Sequence, residues 1–196
     1  TAAIRFGTVM GSTRQRIPIG GATRRPRPMM TMARRQTTDR FKTRFEEEIL
    51  KAISIQQSWA WLIIRPDVLS TQERSRLLHG GSFKNIENRS WSTSHRGDLA
   101  VHVSQSYSKR LHIEHADIIY REFGIVLPPQ QDMKVGGVIG VVKVLGCVRE
   151  SPSPWFKGPW GMELADPRPV EFVPMPGKLS LFEVPNEVIR PLQLHP

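Results

Sequence analysis

Residues 135–148 read V-G-G-V-I-G-V-V-K-V-L-G-C-V, and this segment decides the fold. Valine and isoleucine pack well on a pleated sheet, and both valine and glycine are poor helix formers, so the segment favours a strand over a helix. Glycines within a strand permit sharp bending, because a residue without a Cβ atom tolerates bulges and close backbone approach. We therefore predict a long, bent, central strand that contains Gly136, Gly137, Gly140 and Gly146.

Shorter elements flank this segment on both sides. Alternation of apolar and polar residues predicts strands over residues 51–56, 98–104, 162–165, 170–173 and 179–184, with a turn at residues 166–169. Helical patterns cover residues 57–64, residues 69–78 with Ser70 and Glu73 as a capping box, and the amphipathic residues 106–123. About six short strands with two or three helices predict an α+β fold, and specifically a small mixed β-barrel rather than a βαβ array.

Positive charge is concentrated at the N-terminal end of the chain. Residues 1–50 hold 11 Lys or Arg against 4 Asp or Glu, whereas residues 51–196 hold 17 against 14. Few large apolar residues accompany this charge, so we expect a poorly ordered basic arm over residues 1–49, a folded domain over residues 50–185 and a frayed tail over residues 186–196. The arm is a passive or artefactual extension, a nucleic-acid-binding tail or a targeting segment, and its composition fits all three.

Cysteine content and hydropathy bound the environment of the protein. The chain has one cysteine, Cys147, so an internal disulfide or a Cys-based zinc site is impossible. No apolar run approaches the roughly 20 residues of a membrane span. We accordingly expect a cytoplasmic monomer that neither enters a membrane nor carries a cofactor. His102, His112 and His115 lack a nearby cysteine cluster, so surface or core roles are favoured over a zinc site, and no metal is expected.

A polar site is predicted in residues 84–97, which read K-N-I-E-N-R-S-W-S-T-S-H-R-G. In an extended segment Glu87, Arg89 and Trp91 share one face, because side chains two residues apart point the same way. A carboxylate beside a guanidinium and an aromatic ring equips a polar site rather than a hydrophobic core. Lys84 and Arg96 flank this face, and each of these charged groups could instead be a solvated or ion-paired surface residue.

Several separated blocks, in order, resemble the ASCH domain, a branch of the PUA-like β-barrel superfamily. They are K-A-I-S-I-Q-Q-S-W-A-W-L-I, K-N-I-E-N-R-S-W, R-G-D-L-A-V-H-V-S, G-G-V-I-G-V-V-K-V, W-F-K-G-P-W-G-M-E-L and K-L-S-L-F-E-V, within about residues 50–185. The resemblance implies a pseudo-barrel with a cleft and RNA-related work. Some members resemble RNA-binding modules, and small bacterial members include an N4-acetylcytidine amidohydrolase and a ribonuclease.

The resemblance leaves binding and hydrolysis as alternatives. The amidohydrolase pattern has Lys, Thr three residues later and Arg two further on; Lys84 and Arg89 match this spacing, but Glu87 stands at the threonine position. We therefore predict binding of RNA or a modified nucleotide, with a hydrolase that uses Lys84 and Glu87 as the rival. The predicted binding residues are Lys84, Glu87, Arg89, Trp91 and Arg96, with Trp59, Trp155 and Lys157 as an aromatic and cationic wall.

Overall fold

The computed structural model describes residues 49–196, so the predicted basic arm lies outside the described residues except for Ile49. The strands are β1 (Ile49–Ile55), β2 (Ile86–Arg89), β3 (Gly97–Val103), β4 (Gly137–Val148), β5 (Trp160–Pro174) and β6 (Leu181–Pro185). The helices are α1 (Gln57–Ile64), α2 (Thr71–His79) and α3 (Lys109–Phe123), with short 3-10 turns at Gln130–Asp132 and Asn186–Val188.

The six strands form one mixed sheet in the order β2-β5-β4-β3-β1-β6. Strands β1 and β3 are parallel, and every other neighbouring pair is antiparallel. The predicted α+β class, six strands and three helices are confirmed. The sheet is open, with β2 and β6 at its edges, so closure into a barrel is not observed among the described residues.

Strand β4 is long and central, as its sequence predicts. Its register against β5 shifts at three places, between Val138 and Gly140, Val141 and Lys143, and Val144 and Gly146, which bends the strand. Gly140 is required where α1 crosses this bend, because a Cβ atom there would lie 2.5 Å from Cδ1 of Ile64. The glycine thus lets helix α1 approach the sheet closely.

Strand β5 differs from the prediction of two short strands separated by a turn. It runs without a break from Trp160 to Pro174, and residues 166–169 lie within it. Asp166 has a positive φ of 49°, close to the point where the register with β4 shifts. Prolines are tolerated at such bulges because the ladder hydrogen bond is already interrupted there, so Pro167 and Pro169 bend the strand without ending it.

Helix α1 supplies the core contact between helices and sheet. Ala60, Ile63 and Ile64 pack against buried residues of β1, β3, β4 and β5. Helix α2 begins at the predicted cap, where the Ser70 hydroxyl accepts from the Glu73 N–H, and α3 ends at Gly124 in the left-handed region. Within residues 49–196, no helix is long and apolar enough to cross a membrane.

The C-terminal segment is attached to the domain rather than frayed. The Thr71 N–H donates to the His195 carbonyl at 2.7 Å, and the His195 N–H donates to the Leu69 carbonyl at 2.8 Å. The Leu192 N–H donates to the Pro169 carbonyl at 3.0 Å. Backbone groups of residues 186–196 therefore find partners on α2 and β5, a pairing of distant segments that local composition does not reveal.

Candidate functional site

A cavity of about 350 Å³ opens between α1, β2, α3 and the Trp155 loop, defined as residues 149–159 between β4 and β5. Its wall combines charged, amide and aromatic side chains. The lining residues are Trp59, Lys84, Glu87, Asn88, Ile118, Glu122, Phe123, Trp155 and Lys157. We call this space the candidate cavity.

Lys84 and Glu87 form a buried ion pair in the cavity wall. The Lys84 backbone N–H donates to the Leu62 carbonyl at 2.9 Å, which ties the residue to the end of α1. Its ammonium donates to Oε2 of Glu87 at 2.6 Å and also to the Ile86 carbonyl. The two side chains are only 5% and 10% exposed, so neither charge is paired mainly with solvent. A lysine this deep is rare unless it is paired.

Arg89 completes the cluster from the same face of β2. Its Nη2 lies 3.0 Å from Oε1 of Glu87 and donates to the Ser54 carbonyl at 2.8 Å. Glu87 thus has one cation on each carboxylate oxygen, and the cluster carries two positive charges and one negative charge. The Nε atom of Arg89 is buried without a hydrogen-bond partner among the described residues. The predicted convergence of Lys84, Glu87 and Arg89 is observed, although Arg89 stands behind Glu87 and does not line the cavity.

Asn88 holds the Trp155 loop against β2, a role that sequence reasoning missed. Its Nδ2 donates to the Trp155 carbonyl at 2.9 Å, and its Oδ1 accepts from the Lys157 N–H at 2.8 Å. Both ends of the amide are therefore used to fix two backbone groups of one loop. The only sequence signal for this role is the position of Asn88 between Glu87 and Arg89. The predicted polar site used the face of the strand that carries Glu87 and Arg89, and Asn88 lies on the opposite face.

Two tryptophans form aromatic parts of the wall. Trp155 is 3% exposed and stacks on Phe123 with ring centroids 3.6 Å apart and planes inclined by 14°. One face of Trp155 is thus occupied by Phe123. Trp59 is partly buried, and its ring centroid lies 5.1 Å from that of His115. Trp59 and Trp155 are the predicted aromatic residues that reach the cavity.

Lys157 pairs with an acidic residue of α3 that was not predicted. Its Nζ lies 3.0 Å from Oε2 of Glu122, with side chains 62% and 45% exposed. The pair joins the Trp155 loop to α3 at the solvent-exposed side of the cavity. Ile118 and Phe123 of the amphipathic helix α3 also reach the wall, although helical periodicity does not indicate which element they face.

Besides Arg89, two further predicted binding residues, Trp91 and Arg96, do not line the cavity. Arg96 is exposed, and its Nη1 donates to the carbonyls of Thr93 and His95 in its own loop, at 3.2 and 2.8 Å. Trp91 is partly buried and packs against the main hydrophobic core. Strand β2 ends at Arg89, so the alternation that was expected to align Trp91 with Glu87 does not continue that far.

The histidines considered as zinc ligands make other contacts. His102 is buried, with Nδ1 3.2 Å from the Ser54 hydroxyl and Nε2 2.9 Å from the Met175 carbonyl. His112 and His115 contact hydroxyl groups. In the described part of the chain, no three His, Cys, Asp or Glu side chains are grouped so that they could hold a metal ion.

No protein-family model matches this chain, and a search of the curated proteins finds no match either. Function must therefore be inferred from the geometry of the cavity. A buried carboxylate between two cations offers both hydrogen-bond donors and acceptors to a ligand, and the aromatic wall offers apolar surface.

Proposed function

We propose that this chain is an ASCH-type, PUA-like domain that binds RNA or a modified nucleotide by taking one base into the candidate cavity. The observation that carries the proposal is the Lys84–Glu87–Arg89 cluster at the wall of that cavity, with Lys84 and Glu87 only 5% and 10% exposed. Burying charged groups is expensive even when they are paired, so such a cluster beside an open cavity favours a role in recognition.

The cavity has the size and polarity of a small-molecule site. Its volume of about 350 Å³ falls in the range of roughly 300–1,000 Å³ that ligand pockets occupy. Lys84 has three N–H donors, two of which are directed to Glu87 and Ile86. One donor is left for a ligand oxygen. The Glu87 carboxylate has about four acceptor positions, so it can also accept from an exocyclic amino group such as that of cytosine or adenine.

Binding is favoured over catalysis because the wall lacks a nucleophile. None of the lining residues among the described part of the chain is a serine, threonine or cysteine. Both carboxylate oxygens of Glu87 are already engaged by cations, Lys84 at 2.6 Å and Arg89 at 3.0 Å. These groups suit recognition of a polar base edge.

The rival function is hydrolysis of an acylated nucleoside or of RNA. The contact of 2.6 Å between Lys84 and Glu87 favours it, because a lysine and a carboxylate in direct contact can together orient and deprotonate a water molecule. That water would attack an acyl carbonyl or a phosphodiester. Lys84 and Arg89 match the spacing of the acetylcytidine amidohydrolase pattern, which favours the first of these substrates, but Glu87 stands at its threonine position.

A nucleoside panel and a short RNA, each incubated with the full chain, distinguish the two functions. Hydrolysis is read by mass spectrometry, and binding by titration calorimetry. For a binding domain we expect saturable binding of at least one base-bearing ligand without turnover, and loss of that binding in Lys84→Met. Turnover that disappears in Glu87→Gln while affinity stays within about twofold would establish the hydrolase instead. Glu171→Gln, at an exposed position on β5, is the matched control. Absence of binding and of turnover for every ligand would refute both functions.

A further inference from the structure

A chain of four hydrogen-bonding side chains lies behind Trp59, outside the candidate cavity. The Ser58 hydroxyl lies 2.9 Å from Nδ1 of His115 and 2.7 Å from the Tyr107 hydroxyl. The Tyr107 hydroxyl lies 2.8 Å from Nδ1 of His112. Ser58 is fully buried, and His115 is 8% exposed. The chain of hydrogen bonds therefore joins α1, α3 and the segment before α3, and its inner end at Ser58 and His115 is shielded from water.

The number of protons in these hydrogen bonds limits which ring nitrogens of His112 and His115 can be protonated. The three contacts need three protons, and the two hydroxyl groups supply one each. The third must come from Nδ1 of His112 or His115, so the two rings cannot both be neutral with the proton on Nε2. Turning the Tyr107 hydroxyl toward Sδ of Met133, 3.7 Å away, would not remove this requirement, because both imidazoles would then have to donate.

Burial disfavours the charged form of the inner imidazole, His115. Desolvation lowers the pKa of His115; the charge of Glu114 opposes this shift and that of His112 adds to it. The groups that face His115 from other elements are the Ser58 hydroxyl and the Trp59 ring, both on α1. Burial also raises the pKa of Tyr107, although the hydrogen bond with Ser58 opposes that shift. Both shifts favour the uncharged forms of His115 and Tyr107.

We propose that Ser58, Tyr107, His112 and His115 are positioning residues that hold the Trp59 ring in the wall of the candidate cavity. Ser58 directly precedes Trp59 on α1, and His115 contacts both the Ser58 hydroxyl and the Trp59 ring. The chain therefore fixes Trp59 relative to α3, which supplies Ile118 and Phe123 to the same cavity. Only the effect on ligand affinity rests on the proposed function; the hydrogen-bond chain and the ring position do not.

The first test is the tautomeric state of the histidines, read by long-range proton–nitrogen NMR correlations on the full chain at neutral pH. We expect at least one of His112 and His115 to carry its proton on Nδ1. Tyr107→Phe removes the central hydroxyl and frees Ser58 to donate to His115, so this Nδ1–H population should fall. The proposed hydrogen-bond chain would be refuted if both imidazoles of the wild type carried their only proton on Nε2, or if Tyr107→Phe left the tautomer pattern unchanged.

The second test follows the indole N–H resonance of Trp59, assigned by its loss in Trp59→Phe. We expect it to titrate with the same midpoint as His115, below the ordinary histidine value of about 6.5. Tyr107→Phe should shift this resonance. It should also weaken the binding of cytidine, which serves as the probe ligand, by about two- to tenfold, because one aromatic contact contributes that much to affinity. Tyr120→Phe, an exposed position on α3, should change neither.

These outcomes separate the positioning role from the proposed function. A Trp59 resonance insensitive both to pH and to Tyr107→Phe would refute positioning, whatever the protein binds. If wild-type protein bound no nucleoside, the proposed function would fail, while the tautomer and resonance measurements would still decide the positioning role. Unchanged cytidine affinity despite a displaced Trp59 resonance would refute the link between the chain and the cavity.

Discussion

Lys84 and Glu87 should show strong energetic coupling when their substitutions are combined. At 2.6 Å and an effective dielectric constant of about 20, their gross Coulomb attraction is about 6 kcal/mol, and each ion loses several kcal/mol of solvation on burial. The net effect depends on which partner is removed. Glu87→Gln leaves two cations without their carboxylate, so we expect a loss of about 3–5 kcal/mol of unfolding free energy.

Lys84→Met should lose less unfolding free energy than Glu87→Gln, about 1–3 kcal/mol. Glu87 keeps its ion pair with Arg89 at 3.0 Å in this variant, and the desolvation penalty of the ammonium disappears. The double variant should then lose at least about 1 kcal/mol less than the sum of the single losses. Urea unfolding of the full-length variants, followed by tryptophan fluorescence, measures these values, provided that the m-values agree among the variants.

The exposed pair Lys157 and Glu122 provides the control cycle, because it joins the same types of side chain at 3.0 Å near the same cavity. Its coupling should stay below about 1 kcal/mol, as for other solvent-exposed pairs. Equal coupling in the two cycles, or a Lys84→Met loss larger than that of Glu87→Gln, would refute the account of a buried carboxylate shared by two cations. The Lys84→Met/Glu87→Gln double variant should also lose ligand binding while remaining folded.

Three further perturbations test other parts of the structure. Gly161→Ala should lower the unfolding free energy by about 1–3 kcal/mol in urea unfolding, because the added Cβ would lie 2.7 Å from Phe156 Cδ2. Arg74→Met should lower the melting temperature and the unfolding free energy by about 3 kcal/mol or more, because its buried guanidinium donates to four backbone carbonyls; Arg74→Lys should recover only part. The Lys51 hydrogen bond lowers the pKa of Glu183, so its stabilisation is present above the ordinary value of 4.5 and is lost as pH falls through the folded value. The stability difference between wild type and Lys51→Met should therefore shrink in acid, and a constant difference would contradict the pairing.

Local sequence patterns predicted the elements whose form depends on near neighbours. The β-branched, glycine-containing run became β4, and Ser70 caps α2 as its spacing with Glu73 indicated. The cluster of Lys84, Glu87 and Arg89 could also be predicted from the sequence. These residues lie within six positions of one another, and two of them share a strand face. In each case the deciding interaction lies within a few residues along the chain.

The missed features depend on contacts between distant segments. The continuity of β5 through Pro167 and Pro169 is set by pairing with β4, which overrides the local turn signal. Glu122 reaches the cavity only because α3 packs beside the Trp155 loop, 35 residues further along the chain. Such placements follow from the topology of the sheet, which periodicity and composition do not specify.

The charges of the described residues argue for recognition of a base rather than of phosphate. The charged side chains in the cavity wall are two lysines and two glutamates, and each lysine is paired with one glutamate. Because each charge in the lining is already paired, and the positive charge of Arg89 lies behind Glu87 outside the lining, phosphate gains little electrostatic advantage over water. The excess positive charge lies elsewhere in the sequence, in residues 1–50, with 11 Lys or Arg against 4 Asp or Glu. Nucleoside binding in the cavity should therefore change little between low and moderate salt. RNA binding that uses residues 1–50 should weaken steeply with added salt, because the release of condensed counterions becomes less favourable as the salt concentration rises. Equal salt slopes for a nucleoside and for RNA would contradict this division.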